Sequence, residues 1–218
     1  MAHLDALTRD RLAAIEPVLA GSEAMMGFVP NSMLTMSHMP QLTMAFSMLA
    51  GVVFGRDLAD TMAAYRDLVP ADEHAEDALP PDLIQLVAYA VSVSAGCRYC
   101  QAHTSHNATR FGASEDKLLA VLDYESSSLF APAERAAIGL ALAAGQVPNE
   151  VDRNHFEALQ QHFNERQIVQ IVAVVSLFGF LNRWNDTLAT DLETQPTAFA
   201  ESTLAKGGWR LGKHAGGA

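Results

Sequence analysis

Apolar residues return at intervals of three and four over long stretches of this chain, and that spacing commits it to helices. The pattern runs through Ala6 to Leu19, Gln41 to Phe54, Asp82 to Ala95, Ala133 to Ala144 and Gln167 to Leu181. Ala, Leu, Met and Gln dominate these segments, and no sustained alternation of period two competes with them. The punctuation agrees. Gly55, Gly112 and Gly145 stand where helices should stop, and Pro132 fits a first helical position. Ser114 followed by Glu115 and Asp116 reads as an N-cap with first-turn acids, and Asn164 with Gln167 as a capping box. The expected fold class is all-α.

With 50% hydrophobic and 18% charged residues, the 218-residue chain has ample material for a core. We read one helical domain over 1–218, with an N-terminal half to about residue 69. A solvated Pro/Asp/Glu-rich connection at about 70–81, a core at about 82–193 and a flexible glycine-rich tail at about 207–218 follow. Leu83 to Ala95 and Gln167 to Gly179 are both apolar helices behind a polar cap, each followed by a polar segment, consistent with a duplicated helical unit. The methionines between Met25 and Met48 read as core filling or a subunit interface. A net charge of −11 without a local Lys/Arg cluster argues against nucleic acid. The longest apolar run, Ile168 to Leu181, is broken by Gln170 and Ser176 and is too short for a bilayer span. Met1 to Arg11 has no apolar signal-peptide core. A cytoplasmic protein without a membrane partner is expected.

Chemistry concentrates at Cys97 and Cys100, the only two cysteines. Random placement would give that spacing roughly once in a hundred tries, so the pair reads as kept for joint use. Gly96 should break the helix that begins near Asp82, and the cysteines should open a second helix running to about Phe111. Amide N–H groups and the positive dipole end at a helix N-terminus stabilise a thiolate, and an i, i+3 pair lets one sulfur reach the other. Cys100, His103, Thr104 and Asn107 share one helix face, which puts His103 one turn from Cys100 as a proton shuttle. His106 lies farther round and is the poorer partner. Four zinc ligands from Cys97, Cys100, His103 and His106 cannot easily surround an ion from a single helix, so no metal and no cofactor are expected. Asn182, Arg183 and Asp186 read first as helix-end or interface pairing, with substrate contact a minor option.

Cys97-Arg98-Tyr99-Cys100-Gln101-Ala102-His103 resembles the signature of the AhpD-like alkylhydroperoxidase and carboxymuconolactone decarboxylase superfamily. Gly27-Phe28-Val29-Pro30-Asn31 followed by Pro40 resembles the N-terminal stretch of its peroxidase-related branch, and Phe180-Leu181-Asn182-Arg183 its C-terminal Asn-Arg element. The resemblance spans about residues 25–193. It implies a helical bundle buried in a homo-oligomer, a trimer or hexamer, that reduces a small organic hydroperoxide or a disulfide and is reset by an external dithiol. It also implies an order: Cys100 attacks, Cys97 resolves and His103 moves protons. Position within the helix votes the other way, because Cys97 is nearer the N-terminus. Two positions depart from the family pattern. Gln85 stands where a relay glutamate is usual and cannot exchange a proton at neutral pH, and Thr104 stands where the histidine often lies. Both departures weaken the case for fast peroxidase turnover while leaving a redox thiol in place. The competing expectations are a non-redox enzyme like the decarboxylase branch, and a non-catalytic oligomeric redox-sensing module.

Overall fold

A computed structural model describes residues 2–72 and 74–215. It contains eleven α-helices and no β-strand among the described residues, so the fold is all-α. The chain divides into two compact units, Met1–Ala78 and Leu79–Ala218.

The first unit holds α1 (Glu16–Met26), α2 (Asn31–Met36), α3 (Pro40–Val53) and α4 (Leu58–Tyr65). Its core gathers Leu12, Ile15, Val18, Leu19, Met33 and Met44. The helix expected from Ala6 starts only at Glu16, behind two short 3-10 turns. Pro17 explains the late start: a residue without an N–H is tolerated in a first turn and not in a helix interior. The methionines divide. Met33 and Met44 fill core, whereas Met25 and Met26 are exposed.

The second unit is organised around α5 (Pro81–Ser94), whose residues from Leu86 to Ser92 are buried without interruption. A helix that is apolar on all sides must be enclosed. It is enclosed by α6 (Arg98–Arg110), α8 (Pro132–Ala144) and α10 (Glu165–Leu188). Between them lie α7 (Glu115–Leu119) and α9 (Arg153–Gln160), while α11 (Thr194–Ser202) packs on α6. The expected caps are in place. The Ser114 side chain accepts the Lys117 N–H, and Asn164 and Gln167 cap each other reciprocally at 2.9 and 3.1 Å.

Three expectations need correction. Asn182 to Thr190 is not a separate segment echoing α6, because α10 continues unbroken to Leu188. No glycine like Gly96 interrupts it, so the apparent duplication stops at the level of sequence. Nor is the run at 168–181 the full extent of its helix. The 24 residues of α10 are long and apolar enough to cross a membrane by length and composition alone. Ile168, Ile171, Val175, Asn182 and Asn185 form its buried face, and Leu177, Phe180, Trp184 and Leu188 an exposed apolar stripe. Finally, the glycine-rich tail is packed as far as it is described. Trp209 is buried and donates its indole N–H to the Arg98 carbonyl at 3.3 Å. The His214 carbonyl accepts the Leu192 N–H at 3.0 Å. Residues 216–218 lie outside the described part.

Candidate active site

Gly96, with φ of 76°, turns the chain sharply at the end of α5. Only glycine adopts this left-handed conformation without strain. The turn delivers Cys97 to the N-cap of α6, where its Sγ accepts the Cys100 backbone N–H at 3.5 Å. A sulfur thus occupies the place of a capping oxygen. Both cysteines are free thiols, 1% and 2% exposed. Asn185 on α10 donates its amide N–H to Cys100 Sγ at 3.6 Å and to the Leu181 carbonyl at 3.0 Å.

The two sulfurs are electrically unlike. A hydrogen bond from the Cys100 thiol, helped by the backbone N–H groups of Cys100 and Tyr99, draws the Cys97 thiol down to about 7 against the opposing effects of burial and of Asp186. Cys100 moves the other way. Giving its proton to Cys97, being buried and facing a thiolate all hold it protonated. Cys97 is therefore the more acidic sulfur of the pair, and Cys100 the one that holds its proton.

Facing Cys97 are two side chains from distant parts of the chain. Cys97 Sγ, an oxygen of Asp186 and a ring nitrogen of His214 lie within 4.8 Å of one another. His214 is 1% exposed, and its Nδ1 is 2.8 Å from the Thr190 carbonyl. A carbonyl only accepts, so Nδ1 carries a proton and Nε2 is the ring's open end. Nε2 has no hydrogen-bond partner and lies 3.8 Å from Asp186 Oδ1, whose sister oxygen is paired with Lys213 Nζ at 2.8 Å.

His103 is committed elsewhere. Its Nε2 meets Glu193 Oε2 at 2.6 Å, its ring lies on Tyr99 with centroids 4.5 Å apart, and the Tyr99 hydroxyl donates to Glu193 Oε1 at 2.9 Å. Burial, then the bond to Glu193, push Tyr99 up to about 12. Burial alone would raise Glu193, but bonds from its own N–H, His103 and Tyr99 outweigh it and hold the carboxyl below its usual range. Among the described residues His103 makes no hydrogen bond to either sulfur. His106 packs against Phe199, and the Thr104 hydroxyl bonds back to the Cys100 carbonyl at 2.6 Å. Gln85 Oε1 is buried with no hydrogen-bond partner. The structure thus brings Cys97 and Cys100 together and sets His103, Thr104 and His106 on other business.

A cavity of about 390 Å³ runs beside the site, lined by Val91, Ser94, Val175, Asn182, Arg183 and Asp186 among others. Asp186 belongs to both cavity and sulfur cluster, and neither atom of the buried Asn182 amide has a protein partner. Asn182, Arg183 and Asp186 therefore border space of the size small ligands occupy. Asp186 pairs as expected of a helix-end acid, with Lys213. No spacing rule links Cys97 to His214, which sits in a segment whose composition reads as frayed. The nearest hint was a histidine and a tryptophan among glycines at the C-terminus.

The acidity of Cys97 has a direct consequence. Alkylation by iodoacetamide should rise with pH about a midpoint near 7, well below that of an ordinary thiol at about 8.5. Cys100→Ala removes the main hydrogen bond and should move the midpoint upward. A wild-type midpoint of about 8.5, unmoved by that change, would refute the assignment.

Fold and site together define an all-helical protein with a buried dithiol at a helix start. The carboxymuconolactone decarboxylase family model matches residues 57–143, and the chain belongs to that family. It is similar to the uncharacterized protein YnjA of Escherichia coli (strain K12), 31% identical over 116 residues, 53% of this chain. That match spans 64% of YnjA, less than two thirds of its length. The uncharacterized protein YdfG of Bacillus subtilis (strain 168) is 26% identical over 107 residues, 46% of this chain and 67% of YdfG. Among solved structures, the apo debrominase Bmp8 matches with a TM-score of 0.56 and 32% identity, covering 91% of this chain and 96% of Bmp8. A cysteine-to-alanine variant of Bmp8 in complex with 2,3,4-tribromopyrrole matches with a TM-score of 0.55 and 29% identity, covering 93% and 98%.

Proposed function

We propose that the protein is a dithiol-dependent oxidoreductase that reduces a small organic hydroperoxide at Cys97 and stores the oxidation as a Cys97–Cys100 disulfide. The observation that carries this reading is the acidified, capping sulfur of Cys97 with a protonated thiol on one side and the free Nε2 of His214 on the other. His214 takes the Cys97 proton. The thiolate attacks the terminal peroxide oxygen, the O–O bond breaks, and the departing alkoxide takes the proton back from His214 as alcohol. Cys97 is left as a sulfenic acid. Cys100 attacks that sulfur, its proton leaves with the hydroxide as water, and the disulfide closes. An external dithiol restores both thiols. This order of sulfurs reverses the one implied by the family resemblance and gives His103 no part in proton transfer. The exposed stripe on α10 supports assembly into a homo-oligomer.

Similarity to Bmp8 over nearly the whole chain favours a second substrate for the same dithiol, a halogenated aromatic ring. There a ring carbon gains a proton from solvent, and the Cys97 thiolate takes the halogen from it as a sulfenyl halide while the carbon–halogen bond breaks. Cys100 attacks that sulfur, expelling halide and its own proton as the disulfide closes. Incubating the reduced protein anaerobically with one equivalent of an organic hydroperoxide, or separately of a bromopyrrole, tests both. One alcohol or one bromide should appear per disulfide formed. Product without loss of thiols would sink the dithiol cycle, and bromide release without peroxide reduction would select the second substrate.

A further inference from the structure

We infer that the reduced site is also a zinc site with three protein donors, Cys97 Sγ, Asp186 Oδ1 and His214 Nε2. This reaches beyond the dithiol cycle and does not depend on it. The three donors lie within 4.8 Å of one another, and two of the residues are buried. A tetrahedral zinc ion needs its donors about 3.3–3.8 Å apart. The spacing of His214 Nε2 and Asp186 Oδ1, 3.8 Å, already meets that. The other donor spacings, at most 4.8 Å, close by about 1 Å on binding, and the Asp186 side chain, 48% exposed, is free to move toward the ion.

The independent pointer is His214 Nε2. It is a buried nitrogen with no hydrogen-bond partner, on a ring nine-tenths and more buried, facing a sulfur and a carboxylate oxygen. Leaving such an atom unpartnered is costly, and a metal ion removes the cost. Its surroundings have the arrangement that orients metal ligands from outside. The Thr190 carbonyl holds Nδ1–H, so Nε2 presents its lone pair, and Lys213 holds Asp186 Oδ2 and leaves Oδ1 free. A thiolate sulfur, an imidazole and one carboxylate oxygen select zinc(II) over the hard cations calcium and magnesium. Binding displaces the Cys97 proton to solvent. A zinc-bound thiolate is a weaker nucleophile than a free one, and forming the disulfide removes the sulfur donor, so zinc marks the reduced, resting protein.

The test reads metal binding without turnover. Reduced protein is titrated anaerobically with zinc(II) against a chromophoric chelator, and with cobalt(II) followed in the visible and near-ultraviolet. One ion per chain should bind, with a sulfur-to-cobalt charge-transfer band and tetrahedral visible bands. Asp186→Ala and His214→Ala should each weaken zinc binding about 10–100-fold, His103→Ala should leave it unchanged, and the disulfide form should bind none. If His214→Ala fails to fold, as circular dichroism would reveal, Asp186→Ala decides, because its carboxylate is half-exposed. Weakening by His103→Ala but not by Asp186→Ala, binding that survives disulfide formation, or no binding to the reduced wild type would each overturn the site. Any of these results leaves the hydroperoxide reaction standing or falling on its own measurement.

Discussion

Cys97→Ser is expected to lower dithiol-dependent hydroperoxide consumption on the order of 10³-fold or more, because no other sulfur at the site ionises near neutrality. A serine hydroxyl retains the cap on α6 but is a far poorer nucleophile. Cys100→Ser should behave differently. Its Cys97 still meets one peroxide, but the sulfenic acid has no neighbour to resolve it, so a dimedone adduct should appear on Cys97 by mass spectrometry. The alternative order makes the mirror prediction, an adduct on Cys100 in the Cys97→Ser protein. That outcome would return the proton-shuttle role to a group on α6 and remove it from His214. His214→Ala offers a second reading of the same question. It should cost about 10²-fold or more in rate below the Cys97 midpoint and less above it, where the thiolate forms without help.

Gly145→Val should destabilise the fold by about 3 kcal/mol, seen as a fall of roughly 6–12 °C in Tm by circular dichroism. A Cβ at Gly145 would lie 2.6 Å from Ser94 Cβ, 2.8 Å from Ser94 Oγ and 3.0 Å from the Val91 carbonyl oxygen. The carbonyl belongs to the central helix and cannot step aside. Ser94 is held as well, donating to the Leu142 carbonyl at 2.6 Å and accepting from Gln146 Nε2 at 3.0 Å. Gly145 is therefore required by the close approach of the ends of α5 and α8, since its own φ of −75° is open to any residue. An unchanged Tm would mean that these helix ends separate freely. Because α5 leads through Gly96 into Cys97, slower alkylation of Cys97 should accompany the loss of stability.

Local signals carried much of this architecture. Helical spacing placed α3, α5, α8 and most of α10 within a few residues, since each is an amphipathic or fully buried helix with its own caps. Short helices were missed. α2, α4, α9 and α11 have six to nine residues each, too few turns for a period to stand out, and their formation depends on packing. Pro17 was a readable stop signal that the apolar spacing of Ala6 to Leu19 overrode. The site followed the same division. Gly96, Cys97 and Cys100 form one local unit, and the positive φ and the capped first turn follow from glycine and helix geometry alone.

The chain's own order of residues settled that it is helical, that a glycine turn presents two sulfurs at a helix start, and that these sulfurs can reach each other. Which imidazole faces them was decided only in three dimensions. His103 has the better spacing but is held by Glu193 and Tyr99, and His214 has no spacing relation at all. It arrives because Trp209 and the backbone at Leu192 anchor a glycine-rich segment that composition marks as loose. Periodicity describes neighbours along one helix. A side chain that reaches a site from across a core is set by long-range packing, which leaves no period to read.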